Sequence, residues 1–483
     1  MSQITAPAPA VSDDDGGGTP MTKWLYLVGA VILTAGILFG YDQGVISGAL
    51  DGIDKSFDVT TLMTEIITSW VTLGAMVGSL VAGLIADRMG RRPTIIVAAV
   101  LFVVGALVEA LAPGAWILVV GRLTVGFGVG VASVAAPLFA AEMAPTRLRG
   151  RFVSGYQFGI TFGIFIAYLV DEFLQNGSDW RLMLGLSAVP AVLLLFLVFP
   201  LTDTPRWYLK AGRRDDARRA LERLHDGDAT DSLTELEAQL GDDVPDATWG
   251  QVFAARWRRP LMIGVGLAVF QQITGINAII YYADKIFAAA GFSTPADQTA
   301  ATTWAIGAVN VLATLIAVAF VDKLGRKPLL LAGLVGMGLS LTVVGIAFQS
   351  LDDVTSTSTS TGTPSDAGVV TLVALVVYIT SFAFSLGPVV WTVINEVFPR
   401  DIRGRGVSVA TAVNWFSAWL VSQFFLTLVD GLGESGTFWL FAFFCVVAFV
   451  WVWRTVPETR GRTLEQIEQS FSDEHDAAQA ASV

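Results

Sequence analysis

Long apolar runs constrain this chain more than any other feature of it. A bilayer core takes about 20 apolar residues per helical crossing. Twelve stretches fit: 24–48, 64–86, 94–112, 116–140, 153–173, 182–200, 261–287, 301–321, 328–348, 369–394, 406–429 and 436–453. Only helices and closed barrels satisfy their backbone inside lipid. Barrel strands alternate over about ten residues, whereas these runs are apolar throughout, so an all-α membrane protein of twelve transmembrane helices is expected. Composition agrees, since 15% of the residues are charged against about 25% in soluble domains. The single cysteine, Cys445, excludes an internal disulfide. Two histidines, His225 and His475, both lie in polar segments, which excludes an intramembrane histidine relay and a Cys/His metal cluster. No cofactor, metal or nucleic-acid partner is expected, and the net charge of −12 says little about partners.

Orientation follows Lys/Arg placement rather than net charge. The tails and the even-numbered connections hold 26 of the 30 Lys and Arg residues, ten of them between Arg206 and Arg259. The other side receives Lys55, Arg181 and Lys285, and Arg122 stays inside a span. Both termini are therefore expected in the cytoplasm of a cell-membrane protein. Residues 1–22 read as a disordered tail, 354–366 as a low-complexity external loop, 201–259 as a charged helical linker and 454–483 as a second tail. That leaves 23–200 and 260–453 as two bundles of six spans each.

The two halves echo one another. Asp87-Arg88-Met89-Gly90-Arg91-Arg92 recurs as Asp322-Lys323-Leu324-Gly325-Arg326-Lys327, 235 residues later. Glu142 and Arg149-Gly150-Arg151 recur as Glu396 and Arg403-Gly404-Arg405 at an offset of 254, and Asp203-Thr204 as Glu458-Thr459 at 255. Six spans separate the copies, so the repeats are parallel. Parallel repeats are a transporter architecture with the substrate site at their interface.

The motifs resemble those of the sugar porter family of the major facilitator superfamily. The likeness rests on Gly83-x-x-x-Asp87-x-x-Gly90-Arg91-Arg92, Gly121-Arg122, Pro205-Arg206-Trp207, Gln271-Gln272-x-x-Gly275-x-Asn277-x-x-x-Tyr281-Tyr282 and Pro457-Glu458-Thr459-x-Gly461. It covers all twelve spans. One departure is Thr202-Asp203-Thr204-Pro205, where the family usually has Pro-Glu-Ser-Pro. The resemblance implies two six-helix bundles, alternating access and a monosaccharide substrate.

Charges inside lipid are costly and few. Here they are chiefly Asp42, Glu109 and Arg122. Asp42 and Arg122 each stand about six residues, roughly 9 Å, from the outer end of their spans, so an ion pair at equal depth is expected. Spacing alone fits a static structural pair as well as a functional one. Glu109 lies near the outer end of span 3 and reads as interfacial or snorkelling. The resemblance implies that Asp42, in Phe39-Gly40-Tyr41-Asp42, carries the proton, because proton-coupled sugar porters have Asp there and facilitative relatives often Asn. Burial favours the neutral acid and a nearby arginine the carboxylate, so a helix movement that changes their separation would switch proton affinity.

A sugar needs groups that both donate and accept, beside aromatic faces. The spans supply Gln157, Gln271, Gln272, Asn277, Tyr281, Tyr282, Asn310, Trp391, Asn414 and Trp415. Any one amide can serve as helix–helix glue; a set facing one cavity points to a ligand. The resemblance places Gln157, Gln271, Gln272, Asn277, Asn310, Trp391 and Asn414 on the hexose, with Phe39 and Tyr281 beside them. Ile164 and Asn414 match glucose facilitators, where xylose–proton symporters have Gln at both, which leans the pocket toward D-glucose or a close hexose. The groups Asp87, Arg88, Arg92, Glu142, Arg151, Asp203, Asp322, Arg326, Glu396, Arg403, Arg405 and Glu458 resemble an inner gate whose ion pairs latch the halves; simple positive-inside topology also accounts for them. Gly74-x-x-x-Gly78 and Gly126-x-Gly128-x-Gly130 allow close helix approach, and Gly387-Pro388 a kink in span 10. The expected partners are a monosaccharide, protons and the lipid bilayer, with the protein a monomer. The alternatives are a sugar uniporter and a transporter-like sugar sensor, the latter weakened by short tails. No nucleophile–base set or metal cluster indicates an enzyme.

Overall fold

The computed structural model describes residues 22–145, 148–175, 179–225, 229–241, 249–355, 366–399, 402–460, 466 and 468–471, except the side chains of 149, 153, 225, 239, 241, 249, 318–323 and 351–355. The first half consists of span 1 (Lys23–Phe57), span 2 (Thr61–Met89), span 3 (Arg91–Ala110), span 4 (Ala115–Met143), span 5 (Arg149–Leu174) and a two-piece span 6 (Trp180–Gly185 and Ala188–Val198). Thr22 and Thr60 start the first two, each Oγ1 accepting from an amide three residues on, at 3.3 Å. The second half consists of span 7 in three pieces (Arg258–Ile273, Ile276–Tyr281, Ala283–Ala289), span 8 (Pro295–Ala301, a wide turn Thr302–Ala308, Val309–Leu324), span 9 (Arg326–Thr355), span 10 in two pieces (Asp366–Phe384, Leu386–Val397), span 11 (Arg403–Gln423) and span 12 (Phe425–Thr455). Among the described residues there is no strand.

Eleven helices among the described residues are long and apolar enough to cross a membrane. The remaining crossing is span 11. Its Ser408, Thr411, Asn414, Ser417, Ser422 and Gln423 lower its hydropathy, yet it packs along spans 2 and 7 like its neighbours. Two sequence boundaries need correction. Residues 425–429 open span 12 rather than close span 11, because that helix begins at Phe425 and bends at Gly433, where φ is 72°. Span 7 is not one rod: Gly275, at φ 97°, interrupts it beside the Gln/Asn motif. Residues 1–21, most of the 354–366 loop and most of the chain after residue 460 lie outside the described residues, and Arg147 and the Asp322 side chain lie wholly outside them.

Packing reproduces the repeat. Span 1 packs on 5 as 7 does on 11, span 2 on 4 as 8 on 10, and span 3 on 6 as 9 on 12. The glycine motifs sit at these crossings: Gly74 abuts the Leu123 carbonyl, Gly126 that of Val71 and Gly130 that of Ala75, so an added Cβ would collide with backbone. Between the halves, span 2 runs along 11 and span 5 along 8. The linker contributes Pro205–Lys210, Arg214–His225 and Thr230–Gly241. Trp207 Nε1 donates to the Asp87 carbonyl at 3.0 Å, and Thr22 Oγ1 to that of Leu224 at 3.2 Å. These bonds fix the linker to one face of the first half. That face is called the linker side below, and the opposite one the far side.

Candidate functional site

Arg122, on span 4, has no exposed surface, and its Nη1 donates to Asp42 Oδ1 of span 1 at 2.6 Å. Its Nε donates to the Ile67 carbonyl of span 2 at 3.2 Å, pinning the guanidinium between three helices. Glu109 departs from the sequence reading. It is 1% exposed, its Cγ faces Gly121, and its Oε1 stands 3.8 Å from Arg122 Nη1. Gly121 leaves room for an inward-turned side chain, so Glu109 joins the buried charges instead of reaching for the interface.

The amides of the second half form one hydrogen-bonded set. Gln271 Nε2 donates to the Leu386 carbonyl at 2.7 Å, where span 10 breaks. Asn414 Nδ2 donates to Gln271 Oε1 at 2.8 Å, Gln272 Nε2 to Asn414 Oδ1 at 3.2 Å, and Asn277 Nδ2 to Gln272 Oε1 at 2.8 Å. The glycine break places Asn277 over Gln272. Gln43, on span 1, was missing from the sequence reading; its Nε2 donates to Asn277 Oδ1 at 3.4 Å and to Tyr281 Oη at 3.5 Å. Its signal was its place next to Asp42, four residues after Phe39. Phe39 meets Trp415 with ring centroids 5.4 Å apart. A closed crevice between the halves, too narrow for a water molecule, is lined by Phe39, Asp42, Gln43, Thr72, Tyr281 and Trp415, among others.

Other expected site residues lie outside this set. Ile164 is buried against Gly40 and Gly44 of span 1. Asn310 is buried on span 8 and Gln157 half-buried on span 5; neither side chain has a hydrogen-bond partner among the described residues. Trp391 is half-buried in the second piece of span 10, and its carbonyl accepts from Asn395 Nδ2 at 2.8 Å. Tyr282 turns away, donating to the Ser422 carbonyl at 3.0 Å and stacking on Phe425.

On the linker side the repeated motifs build two matching clusters, each within one half. Arg91 bridges Asp87 at 3.3 Å and Glu142, whose Oε1 accepts from Nη2 at 3.0 Å. Asp203 Oδ1 accepts from the Arg91 and Thr204 amides at 3.0 and 2.8 Å. In the second half Arg326 reaches Glu396 at 3.2 Å, and Glu458 accepts from the Arg326 and Lys327 amides, both at 3.1 Å. Each carboxylate caps the helix that follows a left-handed glycine, Gly90 at φ 102° or Gly325 at φ 90°. Arg91, not Arg88 or Arg92, makes the pair. Arg88 is exposed, and Arg92 Nη2 donates to the Phe199 carbonyl at 2.5 Å. Arg151 is exposed, and Arg403 Nε donates to the Phe398 carbonyl at 3.0 Å. Burial pushes the Asp203 carboxyl above the usual range, against the backbone N–H groups of Thr204, Arg91 and Arg92. Burial also opposes ionisation of Glu458, but the N–H groups of Arg460, Arg326 and Lys327 prevail and hold it below its ordinary value.

The far side joins the halves. Glu65 of span 2 accepts from Thr427 N and Oγ1 at 2.7 and 2.9 Å, capping the start of span 12. Ser69 Oγ and Trp70 Nε1 donate to Gln423 Oε1 at 2.8 and 3.1 Å. Tyr168 Oη donates to the Ile280 carbonyl at 2.9 Å, Thr303 Oγ1 to that of Tyr168 at 3.0 Å, and the Asp284 amide to Ser47 Oγ at 3.0 Å.

Known proteins point the same way. The profile of a family described as "Sugar (and other) transporter" matches residues 28–471. A D-xylose transporter of Levilactobacillus brevis is 37% identical over 452 residues, covering 93% of this chain and 96% of its own length. A galactose–proton symporter of Escherichia coli is 39% identical, covering 90% and 92%. Among solved structures, a partially occluded inward-open form of the Escherichia coli xylose transporter superposes with a TM-score of 0.78 at 28% identity, covering 92% of this chain and all of its own.

Proposed function

The chain belongs to the sugar porter family of the major facilitator superfamily, and from that premise we propose that it imports a monosaccharide, D-glucose or a close hexose, together with a proton by alternating access. The linker side is the cytoplasmic one, since it carries the Lys and Arg excess. One observation carries the reading: Asp42, held by Arg122, lines the same crevice between the halves as Gln43, which joins the amide set. The proton group and the sugar groups therefore share helices and a wall.

Gln271, Gln272, Asn277 and Asn414 each both donate and accept, so their mutual bonds exchange for sugar hydroxyls, while Phe39 and Trp415 offer apolar faces. With Asp42 ionised, its bond to Arg122 ties span 1 to span 4. A proton on Asp42 removes that charge and lets the two helices part. With the far-side seam shut, the sugar leaves toward the cytoplasm; return needs that seam to open. One proton crossing about 100 mV provides ~2.3 kcal/mol, enough for about 50-fold accumulation. The likeness of Ile164 and Asn414 to glucose facilitators supports the hexose over a pentose; one relative is named for the pentose xylose and another for the hexose galactose.

A competition panel of glucose, xylose, galactose and inositol on protein in liposomes tests the substrate. Glucose should displace label best, and preferential displacement by xylose would reverse the assignment. A protonophore should abolish accumulation above equilibrium; accumulation that survives it would rule out coupling.

A further inference from the structure

Arg122 faces two acids, and its bond to Asp42 employs only one of them. Glu109 Oε1 lies 3.8 Å from the same Nη1 that donates to Asp42, and this oxygen makes no hydrogen bond. Arg122 Nη2 makes none either. The guanidinium and the Glu109 carboxyl thus each keep one buried atom unbonded. Nε is held by the Ile67 carbonyl, so the end of the guanidinium can swing toward span 3 about a fixed base. The groups facing Arg122 are Asp42 from span 1, Glu109 from span 3 and the Tyr281 hydroxyl from span 7; span 2 offers the Ile67 carbonyl.

Resting on the proton-coupled reading above, we propose that Glu109 is a positioning residue for the coupling reaction: it receives the Arg122 guanidinium when Asp42 takes up its proton. A buried guanidinium left without a carboxylate is strongly disfavoured. If Asp42 were its single partner, every protonation would leave that charge uncompensated, and proton uptake would be resisted. With Glu109 at hand, the cation passes from one carboxylate to the other. The proton stays on Asp42, Glu109 stays ionised, and the cluster never holds a lone cation. Span 4 then releases span 1 while keeping span 3.

The test is the pH profile of uphill sugar uptake in proteoliposomes, each variant normalised to its own maximum. Glu109→Gln removes the second carboxylate charge, so Asp42 should accept its proton only in more acidic medium. The midpoint of uptake should move acidward by about one pH unit, a tenfold loss on the alkaline limb. Glu109→Asp should restore most of the shift. A role in packing alone would lower uptake by the same factor at every pH, and an unmoved Glu109→Gln midpoint would overturn the proposal. So would a Glu109→Asp profile as displaced as that of Glu109→Gln. Asp42→Asn, measured alongside, separates the two levels. If it still accumulates sugar, the coupling reading itself fails. If it does not, while Glu109→Gln keeps the wild-type midpoint, only the part assigned to Glu109 fails.

Discussion

The two ends of the molecule are held together by different chemistry. On the linker side, Arg91–Glu142 with Asp203, and Arg326–Glu396 with Glu458, are copies of one device, and each copy closes within its own half. On the far side, Glu65–Thr427, Ser69–Gln423 and Tyr168–Ile280 cross between halves and have no repeated counterpart among the motifs. Among the described residues, these repeated ones bond within a bundle and these unrepeated ones bond across the two. A transporter that rocks needs both, and needs them on different residues, because a contact that must break in every cycle cannot also carry the fold of one half.

Substitution at the two glycines should break the comparison most visibly. Gly90→Ala places a methyl in a left-handed backbone and against Asp203 Oδ2, and should lower stability by about 3 kcal/mol. In Gly325→Ala the backbone is left-handed too, at φ 90°, but the new Cβ would sit 3.0 Å from Glu458 Oε2, and the cost should be nearer ~2 kcal/mol. Thermal unfolding in detergent reads both; equal losses would mean the two clusters differ less than their geometry implies. Glu65→Gln should leave unfolding nearly unchanged yet weaken the seam, since a charge-assisted cap contributes about 1.5 kcal/mol. That is about a tenfold shift toward far-side opening, visible as a longer distance between spin labels at the exposed Leu62 and Leu432. An unchanged distance distribution would remove Glu65 from the seam.

Acidification should separate the clusters by a smaller margin. Glu458 sits below its ordinary value of 4.5, so its stabilisation is complete above that pH and fades as the medium falls toward its folded value. Asp203 is shifted the other way, above 3.8, so its contribution is greatest in acid and is lost as pH rises through its folded value. Below about pH 4.5 the Arg326 and Lys327 amides should exchange hydrogen faster relative to those of Arg91 and Arg92. Parallel changes at both sites would show that the carboxylates respond alike.

The same contrast explains what was legible from sequence. Apolar length reveals twelve crossings and the repeat reveals two halves, because both are local or periodic signals. Span 11 still reads as a crossing although the polar face that carries Asn414 dilutes it. Residue types disclose an amide set; its wiring through Gln43 depends on how span 1 meets the broken span 7, which no local pattern records. Glu109 misleads for a physical reason: an acid one turn from a helix end reads as snorkelling unless the neighbouring helix offers a glycine, and Gly121 belongs to span 4. Asp87 and Arg91 stand four apart, a visible pairing, but Arg88 and Arg92 compete for it until Gly90 sets the direction of span 3. The far-side partners, separated by more than 100 residues and absent from the repeat, leave no trace in the sequence.

The central claim is that sugar and proton cross together through Asp42. External pH recorded on adding sugar to sugar-free proteoliposomes tests it most directly. The account predicts alkalinisation outside with the wild-type protein and none with Asp42→Asn. Sugar entry by the wild type without alkalinisation, or an undiminished signal from Asp42→Asn, would contradict it.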